Sequence, residues 1–232
     1  MLKYLPIVLL PVLLMDRGRT RWRFLFVAVA TIAVGMELSC LVWGMSTLSP
    51  LELAATRDAK PLSIFFFLRG EYSPLHWLGV WVDFDDLAPC ILFLALMAAW
   101  AWSWLQQPDV EAAALVAAVT TMLFYRTLYP QYQMVPFVLG SSWTVRHWGL
   151  IKGRTSRLGP IACYFGWLAL FDFYYAFDDE GAGYGYWEVT KYFVGLPSFL
   201  FGCGFLFGVI HTATTDAVGE RNNAQPGPPP PG

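Results

Sequence analysis

Residues 24–45 read FLFVAVATIAVGMELSCLVWGM, an apolar run whose one ionisable side chain is Glu37, and Arg17, Arg19, Arg21 and Arg23 stand directly before it. A helix crossing a bilayer needs about 20 mainly apolar residues, so this stretch predicts a transmembrane helix. Residues 159–177 and 190–212 are of the same kind. The run 87–105 closes on Trp100, Trp102 and Trp104, which as a cluster mark the membrane–water interface. Two weaker runs, 111–125 and 133–148, flank a polar break, and a first run, 2–15, is short and carries Pro6 and Pro11. Its arginines follow the apolar stretch, whereas a cleavable signal peptide carries its charge before it. Residues 2–15 therefore read as the end of a longer helix or as a short helix that relies on neighbours, and Met1 is not expected to be the natural boundary of the folding unit. The expected fold is an all-α polytopic membrane protein with about seven transmembrane or membrane-embedded helices.

Composition agrees. Of 232 residues, 56% are hydrophobic and only 14% charged, against about a quarter charged in soluble domains. Mean hydropathy is +0.47. The net charge of −2 and the scattered basic residues exclude a nucleic-acid partner. Cys40, Cys90, Cys163 and Cys203 lie far apart in apolar runs and read as small buried hydrophobes, not as a metal site or disulfide framework. No cofactor and no metal is implied.

Orientation comes from the basic loops, since Lys and Arg gather on the cytoplasmic side. Residues 16–23 and 146–157, the latter with Arg146, Lys152, Arg154 and Arg157, are strongly basic, and four crossings between them put both on one side. The amino terminus is then outside, as are residues 46–86, 125–133 and 178–189. Residues 1–212 form the membrane domain, and 213–232, ending in a Pro/Gly-rich string, read as a disordered cytoplasmic tail.

Polar residues in apolar surroundings are the candidates for function. The outer loop 46–86 alternates Phe65, Phe66, Phe67, Tyr72, Trp77 and Trp81 with charges, which suits a short helix in the interface plane. Its Arg69, Glu71 and His76 are candidates to line a substrate site. Asp83, Asp85 and Asp86 read as a carboxylate cluster or, better, as a cap ahead of a helix beginning at Leu87. Within predicted helices, Glu37 and Asp172 carry a charge that is costly in hydrocarbon. The break Phe124-Tyr-Arg-Thr-Leu-Tyr-Pro-Gln-Tyr-Gln-Met-Val-Pro136 holds two prolines that oppose a continuous helix. Its arginine, glutamines and tyrosines read equally as the wall of a polar pocket or as a plain turn anchored by interfacial tyrosines.

The string Arg126-Thr-Leu-Tyr-Pro-Gln-Tyr-Gln-Met-Val-Pro136 resembles the K-V-F-S-P-Q-Y-L-L-W-L-L-P type signature of polytopic GT-C glycosyltransferases, the family 87 and mannosyltransferase-like membrane proteins. Lys3-Tyr4-Leu5-Pro6 resembles their K-x-x-P helix. The resemblance covers the carboxyl-terminal half of a family member. It implies transfer of a sugar from a polyprenyl-phosphate-linked donor on the outer face of a prokaryotic plasma membrane, with Arg126, Tyr129, Gln131, Tyr132 and Lys3 binding the donor. It also implies a membrane lipid environment and either a missing amino-terminal half or a partner membrane subunit, because the family's catalytic carboxylate precedes the K-x-x-P element. Tyr129 replaces a small residue of the pattern and the spacing from Pro130 to Pro136 is shorter. Within this chain Glu71 and Asp86 are the candidates for an acid or base. The alternative is a non-catalytic scaffold or transport component that binds a partner through its outer loop.

Overall fold

The computed structural model describes residues 5–13, 15–16, 19–20, 22–44, 46, 63–68, 75, 84–125, 130–151, 158–177 and 191–224. Each of the seven apolar runs is a helix: α1 (Leu5–Leu13), α2 (Trp22–Trp43), α4 (Phe84–Gln106), α5 (Val110–Phe124), α6 (Pro130–Ile151), α7 (Leu158–Phe177) and α8 (Leu196–Ala224). A short α3 (Ile64–Leu68) lies within the long loop, and a π-helical turn, Lys191–Gly195, leads into α8. Between α1 and α2, Met15–Asp16 pairs antiparallel with Arg19–Thr20. Among the described residues three segments, Phe26–Trp43, Asp86–Gln106 and Tyr192–Asp216, are long and apolar enough to cross a bilayer. The protein is an integral membrane protein of the helical class.

α5 is the centre. Every residue from Ala112 to Leu123 is buried, and α1, α4, α6 and α8 pack around it. A helix apolar on all sides has no face for water and belongs inside a bundle. At about 1.5 Å per residue its 15 residues span about 22 Å, less than a hydrocarbon core of about 30 Å. Its alanine-rich first half lets α1 approach, and Val12 is buried with Ala113, Ala114 and Ala117. The short α1 does rely on neighbours: the Trp100 indole donates to the Val8 carbonyl at 3.1 Å. The second half joins the main core, where Leu115, Val119 and Leu123 meet Trp143, Tyr164, Trp167, Phe171 and Phe205.

α7 and α8 run antiparallel in tight contact. A Cβ on Gly204 would lie 2.8 Å from Cys163 Sγ, and one on Gly208 would overlap the Pro160 ring. Small residues at such crossings let backbones approach where lipid offers no hydrophobic drive. Hydroxyls inside the bundle close on their own helices, Thr121 to Ala117 O and Ser103 to Ala99 O, which satisfies them without water.

Several expectations need correction. Pro130 and Pro136 do not break the chain, because both lie within α6. Pro130 takes the first position, where its missing N–H has no partner to lose, and Pro136 costs only one backbone bond. α5 ends at Phe124, with Tyr125 extended at φ −85, ψ 130, and α6 is helical from Pro130. The helix expected from Leu87 starts at Phe84, so Asp85 and Asp86 lie in its first turn, where the helix dipole still favours them. The chain does not give way at Ala213: α8 continues to Ala224, held by the Trp102 indole on Thr214 Oγ1 at 3.3 Å. Of the three tryptophans read as interfacial, Trp100 and Trp102 are thus spent on helix-to-helix bonds, and Trp104 is exposed. No cysteine is fully buried and Cys90 is exposed, since an apolar side chain on the outside of a membrane bundle can face lipid. In the loop, α3 buries Phe65 and Phe67 in protein, against Ala88 and Tyr192.

Candidate functional site

Helix directions set the two ends of the bundle. α5 runs into α6 across residues 125–129, and α6 returns antiparallel to place Arg146 beside Asp109 and Glu111 at the start of α5. α1 points the same way as α6, with Val8 level with Trp100 and Val12 nearer the start of α5. Pro6, the last residue of the K-x-x-P element, and the P-Q-Y element thus stand in the first turns of two parallel helices, α1 and α6.

Of the residues expected to bind substrate, Lys3, Arg69, Glu71, His76, Arg126 and Tyr129 lie outside the described residues, as does Asp83. Gln131 and Tyr132 lie in the first turn of α6, and their side chains are outside the description. Glu37 and Asp172 are exposed on α2 and α7, and Asp86 is exposed at the start of α4. The same end holds Gln133, the second glutamine of the polar break, which was not among the residues expected to bind the donor. Its side chain is 7% exposed, and its Nε2 has no hydrogen-bond partner among the described residues. A buried amide left unpaired costs about 1–3 kcal/mol, so a free donor here is held at a cost. Around this end are aromatic contacts, Phe124 edge-on to Phe199 at 6.0 Å and Phe67 edge-on to Tyr192 at 5.3 Å. The sequence signal for Gln133 was its spacing: three residues after the helix-starting Pro130, it falls one turn inside α6.

Comparison with protein-family models, curated proteins and solved structures finds no match.

The opposite end holds a polar network. Asp109 caps α5, its Oδ1 accepting from Ala112 N at 2.7 Å and its Oδ2 accepting from Arg146 Nη1 at 3.1 Å. The same Nη1 stands 2.8 Å from Glu111 Oε2, an ion pair without hydrogen-bond alignment. One guanidinium thus bridges two carboxylates, which also lie at the positive end of α5. Next to Arg146 in the chain, the His147 Nδ1 donates to Trp143 O at 2.8 Å and the ring stacks on that indole at 4.7 Å. This leaves Nε2 facing Asp216 Oδ2 at 3.7 Å. Among the described residues no group of His, Cys, Asp and Glu could hold a metal ion. The network ties α5, α6 and α8 together, and the Pro108-Asp109-x-Glu111 capping pattern was its signal in the sequence. Arg146→Ala should lower the thermal unfolding midpoint in detergent, at a cost of about 1–2 kcal/mol. The Arg146 and Asp109 side chains are 58% and 45% exposed, which keeps the loss below that of a fully buried pair. Glu111→Gln should recover part of it in the double variant, because the stranded carboxylate is the costly group.

Proposed function

We propose that this membrane protein binds a polyprenyl-phosphate-linked sugar at the end of the bundle where α5 passes into α6, and serves as the donor-binding part of a glycosyl transfer on the outer face of a prokaryotic plasma membrane. The observation that carries the reading is the buried, unpartnered amide of Gln133 within the Arg126–Pro136 string. The parallel course of α1 and α6, whose first turns hold Pro6 and the P-Q-Y string, adds support, as does the basic character of residues 16–23 and 146–157 toward their other ends. Arg126 offers two aligned donors to a phosphate and stays charged at any working pH. Gln131, Tyr132 and Gln133 supply neutral hydrogen bonds to sugar or phosphate.

The test is calorimetric binding of a synthetic short-chain polyprenyl-phosphate mannose to the full chain in nanodiscs. Arg126→Ala should weaken binding by about 1.5 kcal/mol or more, the scale of a charge-assisted hydrogen bond, and Arg126→Lys should restore part. Gln133→Leu should also weaken binding, yet leave the free protein as stable as before or up to about 1 kcal/mol more stable, because it removes a buried donor without a partner. Donor binding unchanged in folded Arg126→Ala and Gln133→Leu would end this reading.

A further inference from the structure

α2 stands apart from the bundle. None of its apolar window is buried within the protein, and Phe26, at 72% exposed, is typical of its surface. Lipid alone would cover such a helix if all its faces were apolar. They are not. Phe26, Ala30, Ala33, Glu37 and Cys40 recur at spacings of four, three, four and three residues, the 3.5-residue period of a left-handed helix–helix seam. Alanines on that seam would let another backbone come close, as at contacts between membrane helices.

Glu37 decides what the cover must contain. It lies six residues inside Trp43, about 9 Å down the helix, and its short side chain lacks the reach by which Lys and Arg regain the interface. A charged group at that depth costs about 2.5–3.5 kcal/mol or more, and such groups face protein and pair. Among side chains the structure describes, Arg23 is 14 residues away, about 21 Å. Arg146 and His147 are held by the network at the start of α5, and His211 stacks on Phe207. A second copy inserted the same way would set carboxylate against carboxylate across the seam.

We propose that α2 docks a transmembrane helix of another protein, one that presents small residues along the seam and an arginine or lysine at the depth of Glu37. The proposal does not depend on donor binding.

The experiment measures energy transfer in liposomes between the labelled full chain and a synthetic Leu/Ala transmembrane peptide of about 21 residues with one central arginine. The control is the same peptide with leucine there. The arginine peptide should bind about tenfold more tightly, a difference within the range of polar contacts between membrane helices. Glu37→Gln should remove the difference, and Glu37→Arg with a central-glutamate peptide should restore it. Equal binding of both peptides to the wild-type chain would overturn the proposal and leave α2 a lipid-facing helix. Energy transfer between differently labelled wild-type copies that disappears in Glu37→Gln would overturn it in favour of a second copy.

Discussion

Gly208→Leu is expected to destabilise the protein by more than about 3 kcal/mol, the upper range for forcing volume into a packed core. A Cβ at this position would overlap the Cγ and Cβ of Pro160 and lie 3.3 Å from its Cα. A pyrrolidine ring cannot rotate aside, so relief requires α7 and α8 to separate. Even Gly208→Ala should be destabilising, although alanine gains up to about 1 kcal/mol over glycine as a helix former. Gly35→Ala in α2 provides the control of opposite sign, because nothing lies within 4 Å of its Cβ position. Unfolding by SDS titration in mixed micelles, followed by tryptophan fluorescence, reads all three. Pro160→Ala should rescue Gly208→Ala, and failure of that rescue would show that the ring is not the obstacle.

Phe205→Ala should cost about 2 kcal/mol or more in the same assay. Phe205 is fully buried at the meeting of three aromatic side chains, with ring centroids 4.8 Å from Tyr164, 6.0 Å from Trp143 and 6.4 Å from Trp167. In a bilayer the surrounding lipid is as apolar as the core, so the usual transfer contribution largely cancels. What remains is a cavity of about 100 Å³ at about 24 cal/mol per Å³, plus the lost ring contacts. Phe205→Leu should recover most of the loss, since it refills much of the volume. A cost for Phe205→Ala below about 0.5 kcal/mol would mean that α8 does not seat against α6 and α7 as described.

Much of the fold was legible because bilayer length and apolar composition are properties of contiguous sequence. Residues 24–45 announced α2 nearly residue for residue, and 159–177 announced α7. Where the reading failed, the answer lay with neighbours. The prolines of the P-Q-Y string suggested a broken helix, yet a proline in the first turns removes few bonds, and Pro136 is tolerated inside a packed bundle. The tryptophans at the end of α4 looked interfacial by clustering, but Trp100 and Trp102 are turned to carbonyl and hydroxyl acceptors on α1 and α8. At the candidate site, the string from Arg126 to Pro136 stood out by its polarity between apolar runs. That Gln133 is sealed from water was invisible there, because its burial depends on what packs against the first turns of α6.

Periodicity and composition, acting through the thickness of a bilayer, determine that this chain is a bundle of apolar helices and where most of them begin and end to within a few residues, α8 being the exception. They do not rank those helices by position. Tertiary packing made the short, alanine-rich α5 the centre and left the longer α2 uncovered, because between membrane helices lipid cancels the hydrophobic drive. Close approach of small side chains and pairing of polar ones then decide which helices meet.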